Sequence, residues 1–252
     1  MNARIKTFVV NMEKDTEKRA RIEEQLASHP MLDYEIIKAV EGRKLSTDEL
    51  AQQCDWDYFV KKYGKGATLP AIGCSLSHYS IYKRIADDCL DFALVLEDDA
   101  LLCKDLEAII FNLISILNNT EPTVTLLTPE FTYYKNNFTA KINDYKVYKL
   151  WTGVMTSGYL INNRGAKLLK DKLFPVRFVA DDFVEFHKMG LKIYGVVPHL
   201  VSFPKGLGEI GKSVWNQYSF LTKLKRPLGK LKLKLHYYKL RKKGYYISKK
   251  MW

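Results

Sequence analysis

The sequence predicts an α/β fold in which a mostly parallel central sheet is flanked by helices on both faces. Short apolar runs rich in β-branched residues alternate along the 252-residue chain with longer segments of helical periodicity, an order typical of parallel sheets with helical connections. The run Phe92–Leu96 is apolar throughout, as in a strand buried on both faces, and three carboxylates follow it directly. Because ligands bind beyond the carboxyl ends of the strands in such sheets, we expect the functional site at that edge.

Local patterns predict the individual elements in order. Strands are predicted over Ile5–Asn11, Tyr34–Ala39, Phe92–Leu96, Val124–Leu127 and Leu191–Val197. Helices are predicted after the capping residue Asp15, at the capping box of Ser46 and Glu49, from Pro70 to about Leu90, and over Leu106–Leu117, Arg164–Leu173 and Asp181–Met189. The Tyr- and Asn-rich stretch from Phe131 to Tyr148 predicts either loops or an antiparallel excursion.

The excess positive charge is concentrated at the C-terminus. The net charge is +12, from 40 Lys and Arg against 28 Asp and Glu, yet residues 221–252 contain twelve of the basic residues and no acidic one. We therefore predict one domain over residues 1–215 and a basic, helical, aromatic tail over residues 216–252. Lys together with Tyr and Trp favours the anionic surface of a membrane. No nucleic-acid partner is expected, because no nucleic-acid motif accompanies the charge.

Cysteine spacing and hydropathy predict a cytoplasmic protein. The four cysteines form no C-x-x-C pair, which favours reduced thiols over disulfides or a zinc site. There is no pattern of a signal peptide and no run of the roughly 20 apolar residues that a membrane-spanning helix needs.

The acidic cluster Glu97-Asp98-Asp99 is the first candidate site. Three adjacent carboxylates repel one another, and a hard cation such as Mn²⁺ or Mg²⁺ would neutralise them and bridge the phosphate oxygens of a leaving group. The competing interpretation is a solvated acidic turn before the next helix, and spacing alone leaves both open. A second acidic pair, Asp181-Asp182, favours helix capping when taken alone. Together with the first cluster it becomes a candidate general base for an attacking hydroxyl.

Five blocks of sequence together resemble glycosyltransferase family 25, the bacterial lipooligosaccharide glycosyltransferases. They are Val9–Met12 with the following Glu17–Arg19 and Ile22, Ala39–Arg43, Ile72–Tyr82, Ala93–Ala100, and Ser157–Ile161 with Arg164–Ala166. The resemblance covers roughly Ile5 to Ser213, and the third and fourth blocks are its specific parts.

The resemblance implies a GT-A-like fold, a UDP-sugar donor (often UDP-galactose), a divalent metal ion and inversion at the anomeric carbon. It also implies a lipooligosaccharide or LPS-type glycan acceptor, which together with the tail places the protein on the inner face of the bacterial inner membrane. Carried over to this sequence, Glu97 and Asp98 bind the donor, and Asp99 and Asp98 bind the metal. Further donor-binding residues are then Asn11, Arg19, Ser77 and His78.

One block departs from the family pattern, in which Pro-Val-Asp precedes the late helix. Here Pro175-Val176 is followed by Arg177, and the acids come later. Asp181 is therefore taken as the catalytic base and Asp182 as the second choice. The alternative functions are a metal-dependent nucleotidyl- or phospho-transferase on a related α/β fold, or a non-catalytic polyanion-binding protein.

Overall fold

A computed structural model describes residues 4–117, 120–204 and 235–247. Within these residues the chain forms an α/β fold with a nine-stranded mixed sheet and helices on both faces.

The bounds of the elements are as follows. The strands are β1 (Ile5–Asn11), β2 (Leu32–Lys38), β3 (Phe92–Glu97), β4 (Leu101–Leu102), β5 (Thr123–Leu126), β6 (Phe131–Ile142), β7 (Tyr145–Gly153), β8 (Gly158–Asn162), β9 (Lys192–Val197), β10 (Val201–Ser202) and β11 (Tyr245–Ile247). The α-helices are α1 (Thr16–Leu26), α2 (Thr47–Gln53), α3 (Trp56–Tyr63), α4 (Leu69–Asp87), α5 (Leu106–Leu117), α6 (Asn163–Leu173) and α7 (Phe183–Lys188), and residues 235–242 are also helical.

The strand order is β11-β6-β7-β9-β5-β8-β3-β1-β2, with β4 and β10 forming a separate pair. Strand β1 runs parallel to β2 and β3, and β5 runs parallel to β9, whereas the other five neighbouring pairs are antiparallel. The predicted α/β class is therefore confirmed, but the prediction of a mostly parallel sheet is wrong. The physical reason is twofold: β8 enters antiparallel between β3 and β5, and β6 and β7 form a hairpin, whose strands must be antiparallel.

Two apolar layers cover the two faces of the sheet. Val95 and Tyr159 point into one layer with side chains of α4, α6 and α7, and their neighbours Leu94 and Leu160 point into the other with α1 and α5. Burial on both faces explains why β3 is apolar throughout instead of alternating. A strand so buried places its first charged residue, Glu97, at the rim of the sheet.

The predicted tail lies largely outside the described residues. The predicted boundary between residues 215 and 216 falls among residues 205–234, which are not described, and the membrane association of the tail stays a prediction. Of the tail residues that are described, Tyr245–Ile247 form β11 and pair with β6, and the Tyr246 ring stacks on Tyr133 with centroids 5.0 Å apart. Across the described ranges, no helix has both the length and the apolar character needed to cross a membrane.

Candidate active site

The carboxyl ends of β1 and β3 bring the first two predicted site residues together. Asn11 ends β1, and its Nδ2 donates a hydrogen bond of 2.8 Å to Oδ2 of Asp98, just beyond β3. The backbone N–H of Asp98 donates to the carbonyl of Val10 at 3.0 Å. Because the two strands are parallel neighbours, residues far apart in sequence meet at this edge.

A lysine of α1, Lys18, contacts the acidic cluster, and the predicted contact of Arg19 with the donor stays a prediction. Lys18 Nζ lies 3.4 Å from Oδ1 of Asp98 and 3.1 Å from Asp15. Arg19 is exposed, and its Nε donates to Glu23 at 3.2 Å. Burial raises the pKa of Asp98, while Lys18 and the Asn11 hydrogen bond oppose that shift. Asp98 is therefore a buried carboxylate with polar partners on both oxygens.

Asp99 differs from its neighbour in having one carboxylate oxygen without a partner. Its Oδ1 is buried and accepts no hydrogen bond from any described residue. Burial, followed by the charges of Glu97 and Asp98, raises the pKa of Asp99 to about 6. A buried acceptor without a donor is costly in a protein. Because no hydrogen-bond donor of the described residues reaches this oxygen, it is a candidate ligand of a bound cation.

Glu97 is held by side chains from α4 and from the segment before β8. Its carboxylate accepts hydrogen bonds from the hydroxyls of Thr156 and Ser157, and Nε2 of His78 lies 3.4 Å from its Oε1. Burial raises the pKa of Glu97, but the hydrogen bond and charge of His78 together with the two hydroxyls outweigh it, so that the pKa is lowered. Glu97 is therefore an ionised carboxylate of fixed orientation.

His78 belongs to a buried chain of polar side chains. Its Nδ1 lies 2.8 Å from the Tyr159 hydroxyl, which donates to the Tyr82 hydroxyl at 3.3 Å. The helix α4 and the antiparallel strand β8 thus fix the imidazole, and its Nε2 faces Glu97.

Ser77 has a packing role in the structure. Its Oγ donates to the Gly73 carbonyl at 2.7 Å and accepts from the Val40 N–H at 2.8 Å. A Cβ on Gly73 would lie 2.3 Å from the Val40 carbonyl oxygen, so only glycine allows this approach. The second and third sequence blocks are therefore packed against each other. The predicted contact of Ser77 with the donor stays a prediction.

The two members of the second acidic pair differ in their hydrogen-bond partners, as Asp98 and Asp99 do. Asp182 caps α7 by accepting from the Glu185 N–H at 3.2 Å, and it also accepts from the Tyr63 hydroxyl and lies 3.6 Å from Lys62. The Oδ2 of Asp181 accepts from the backbone N–H of Met155 at 3.1 Å.

Burial raises the pKa of Asp181, and the charge of Glu97 adds to the increase. Met155, which donates to Asp181, has a φ of 80°, a strained value for a non-glycine residue. Strain of this kind is concentrated at functional sites.

One short segment connects the acidic cluster Glu97-Asp98-Asp99 with the pair Asp181-Asp182. Met155 holds Asp181 through its backbone, and the next two residues, Thr156 and Ser157, hold Glu97 through their hydroxyls. Sequence analysis missed the roles of Lys18 and Thr156. The signals were present, because Lys18 belongs to the first block of the resemblance and Thr156 directly precedes Ser157, the start of the fifth.

The family model of glycosyltransferase family 25, described as an LPS biosynthesis protein, matches residues 4–184. The chain belongs to glycosyltransferase family 25. The matched residues include every predicted site residue from Asn11 to Asp182, so the predicted family and enzyme class are confirmed.

Curated family 25 proteins and related sequences match this chain over long stretches. A protein of Acanthamoeba polyphaga mimivirus, whose name describes it as a glycosyltransferase, is 25% identical over 211 residues, which are 78% of this chain and 62% of that protein. Procollagen galactosyltransferase 1 of Danio rerio is 25% identical over 250 residues, which are 85% of this chain and 40% of that protein. The chain therefore spans less than two thirds of the length of these relatives.

Among solved structures, a Bacillus anthracis protein described as a glucose-1-phosphate thymidylyltransferase overlays with a TM-score of 0.44 at 11% identity. The overlay covers 86% of this chain and 97% of that one.

Proposed function

We propose that this family 25 chain transfers a hexose, galactose in the first instance, from a UDP-sugar to a hydroxyl of a glycan acceptor with inversion at the anomeric carbon. Membership of the family supports a nucleotide-sugar donor, and the name of the Danio rerio relative supports galactose. The observation that carries the proposal is the unpartnered, buried Oδ1 of Asp99 at the rim of the sheet, beside two more carboxylates. A GT-A-like arrangement, in which a nucleotide sugar lies over such a rim, is part of the proposal.

The donor set at the rim fits a hard divalent cation, Mn²⁺ or Mg²⁺. Asp98 and Asp99, just beyond β3, supply carboxylate oxygens as metal ligands, and these cations prefer oxygen ligands. Asp99 would hold the ion through its unpartnered oxygen, and Asp98 would contribute a lone pair that Asn11 and Lys18 leave free. When bound, such an ion stabilises negative charge on a departing diphosphate.

Lys18 and Asn11 support the same chemistry from the protein side. Lys18 brings a positive charge to within 3.4 Å of Asp98, at the position where a diphosphate would approach the rim. Asn11 keeps Asp98 oriented from the end of β1. A preorganised positive charge at the point where negative charge develops on the leaving group lowers the barrier of group transfer.

Asp181 is the better candidate of the second pair for the general base. A general base needs a free oxygen and a pKa near the working pH. The carboxylate of Asp181 accepts from backbone N–H groups and has a raised pKa, whereas Asp182 already accepts from the Tyr63 side chain and from the start of α7. We propose that Asp181 takes the proton of the acceptor hydroxyl as that hydroxyl attacks the anomeric carbon.

The acceptor and the site of action form the outer part of the proposal. The description of the family supports a lipooligosaccharide or LPS-type glycan. The basic residues near the C-terminus would hold the protein at the anionic cytoplasmic surface of the inner membrane, where such lipid-linked acceptors are built.

A donor panel tests the proposal directly. UDP-galactose, UDP-glucose, UDP-N-acetylglucosamine and nucleoside triphosphates are compared with and without Mn²⁺ by thermal shift and by slow hydrolysis of the donor. We expect one UDP-sugar to raise the melting temperature and to be hydrolysed only with metal, and Asp99→Asn to lose both responses. Stabilisation and turnover by nucleoside triphosphates alone would instead support the nucleotidyltransferase alternative.

A further inference from the structure

The helix α4 and the strand β3 bring three different metal-binding side chains together. Cys74 and His78 are four residues apart on α4, so they share one face of the helix. Glu97 lies opposite them at the end of β3, and one donor atom from each of the three residues lies within 4.8 Å of the others. The expectation of ordinary thiols rested on the absence of a C-x-x-C pair. It did not allow for a cysteine joined to ligands from another element.

The surroundings orient these donors towards one another. The Nδ1 of His78 is engaged by the Tyr159 hydroxyl at 2.8 Å, which leaves Nε2 on the side of Glu97, 3.4 Å from its Oε1. Metal-binding histidines are commonly oriented by such a bond on the other ring nitrogen. Cys74 is only partly buried and Glu97 keeps some exposure, so an ion from solvent can reach the group.

The donor set selects a class of cation. Sulfur, imidazole nitrogen and a single carboxylate oxygen suit Zn²⁺, which is bound by three protein ligands with a fourth position open in many sites. Mn²⁺ and Mg²⁺ prefer oxygen donors, which Asp98 and Asp99, the two residues that follow Glu97, supply. The two groups therefore differ in chemistry although they are adjacent in space.

We propose that Cys74, His78 and Glu97 form a Zn²⁺ site, and that zinc bound there inhibits sugar transfer. Zinc forms bonds to Sγ, Nε2 and a Glu97 oxygen, while the thiol proton of Cys74 and any proton on Nε2 pass to solvent. Zinc would compete with the hydroxyls of Thr156 and Ser157 for the Glu97 carboxylate. These two residues directly follow Met155, whose backbone N–H donates to Asp181, so a change there would reach the proposed general base. The inhibitory part rests on the proposed function, whereas the binding part does not.

Cobalt spectroscopy tests the binding part without any enzymatic assay. Co²⁺ is titrated into the reduced full-length protein, and a thiolate-to-cobalt charge-transfer band in the near ultraviolet is expected at one equivalent. Cys74→Ser should abolish the band, whereas Cys89→Ser, a change at an exposed cysteine, is the matched control and should keep it. Tyr159→Phe should keep the band but weaken cobalt binding about 10- to 100-fold, the usual effect of losing the partner of a ligating histidine.

Competition between metal ions for the cobalt site distinguishes it from the carboxylates of Asp98 and Asp99. One equivalent of Zn²⁺ should remove the cobalt band, an excess of Mn²⁺ should leave it, and Asp99→Asn should leave it unchanged. A band that persists in Cys74→Ser, that Mn²⁺ removes, or that never forms in the wild-type protein overturns the proposal.

The inhibitory part is tested by titrating Zn²⁺ into donor hydrolysis at saturating Mn²⁺. Inhibition is expected in the wild-type protein and in Cys89→Ser, and at least a tenfold higher zinc concentration should be needed in Cys74→Ser, because a ligand is lost. Equal inhibition of all three proteins, or none in the wild type, overturns this part. If no UDP-sugar is turned over under any condition, the proposed function fails, while the cobalt band still decides the metal site.

Discussion

The two acidic pairs, Asp98-Asp99 and Asp181-Asp182, resemble each other in sequence and differ within each pair in structure. Asp98 accepts from Asn11 and faces Lys18, and Asp182 accepts from Tyr63 and from the start of α7. Asp99, in contrast, has a buried oxygen without a donor among the described residues, and Asp181 accepts from backbone N–H groups, that of Met155 among them.

The difference indicates that, in each pair, one acid anchors the backbone and the other is available to bind a ligand or accept a proton. The carboxylate with partners on both oxygens fixes the backbone, because those hydrogen bonds connect it to another strand or to a helix. The backbone then holds the neighbouring carboxylate in a partly buried position, where it can still bind a ligand. The pKa values of Asp99 and Asp181 are both raised, with burial as the largest cause in each. A pair of acids in this arrangement contains one anchoring residue and one reactive residue.

The largest effect is expected at the reactive member of the first pair. Asp99→Asn should lower the rate of transfer by about 10²- to 10³-fold, because the ion that stabilises the leaving group loses its main ligand. The variant should also lose its response to Mn²⁺. Steady-state kinetics across a Mn²⁺ titration measure both effects. Wild-type activity with an unchanged Mn²⁺ response would assign the metal to other residues.

Thermal unfolding in the presence of a chelator checks that Asp99→Asn is folded. The pKa of Asp99 is raised from 3.8 to about 6 in the folded protein, so its ionisation opposes folding. This cost is absent below about pH 4 and fully present above about pH 6, as the linkage of pKa and stability requires. The variant should therefore melt at a higher temperature than the wild type above pH 6, and the difference should disappear near pH 4.

The next largest effect is expected at Asp181. Asp181→Asn should lower kcat by about 10²-fold, as loss of a general base commonly does. Affinity for the UDP-sugar should be unchanged, because Asp181 is proposed to act on the acceptor. Donor binding is measured by calorimetry alongside the kinetics. A parallel loss of donor affinity would identify Asp181 as a structural residue and would remove the division within the second pair.

Asn11→Ala tests the anchoring of the first pair. The change leaves a buried oxygen of Asp98 without its donor, and it should lower the free energy of unfolding by about 1–3 kcal/mol. Urea denaturation measures the loss, and affinity for Mn²⁺ should fall with it because the orientation of Asp98 relaxes. Asn11→Asp offers a comparison, since it places a second negative charge against Asp98 and should destabilise the protein further. Unchanged stability in Asn11→Ala would show that Asp98 needs no anchor.

The smallest effect is expected at Asp182, the anchoring member of the second pair. Asn can keep the cap of α7, but its single amide oxygen cannot also accept from the Tyr63 hydroxyl, so Asp182→Asn should cost about 1 kcal/mol of unfolding free energy. Turnover should stay close to that of the wild type. The same assay as for Asp181→Asn applies, which makes the two variants a matched pair. A larger loss of rate at Asp182 than at Asp181 would reverse their proposed roles.

The parts of the fold with strong local patterns were predictable from the sequence. Strand β1 and helix α5 have the predicted bounds, and the capping box of Ser46 and Glu49 is formed with both of its hydrogen bonds. Of the two alternatives for residues 131–148, the antiparallel excursion is confirmed as the hairpin of β6 and β7. These elements are set by periodicity and by contacts between near neighbours in sequence.

Strand direction and side-chain partners were not predictable in this way. Nothing in the apolar run of β8 tells that it enters antiparallel between β3 and β5, because a strand buried on both faces has the same composition in either direction. The position of the acids at the sheet rim followed from the sequence. The partners of Asp98, Asp182 and Glu97 did not, since they come from elements distant along the chain.

The direction of β8 has a further consequence for the length of the chain around the site. Because β8 runs against β3, it starts beside Glu97, and Val154–Ser157 alone span the gap from the end of β7. Adding or removing a single residue in that bridge would move the backbone of Met155 and the hydroxyls of Thr156 and Ser157 together. Insertions should therefore be tolerated at the Asn143-Asp144 turn between β6 and β7, which is remote from these contacts, and be excluded from the four-residue bridge.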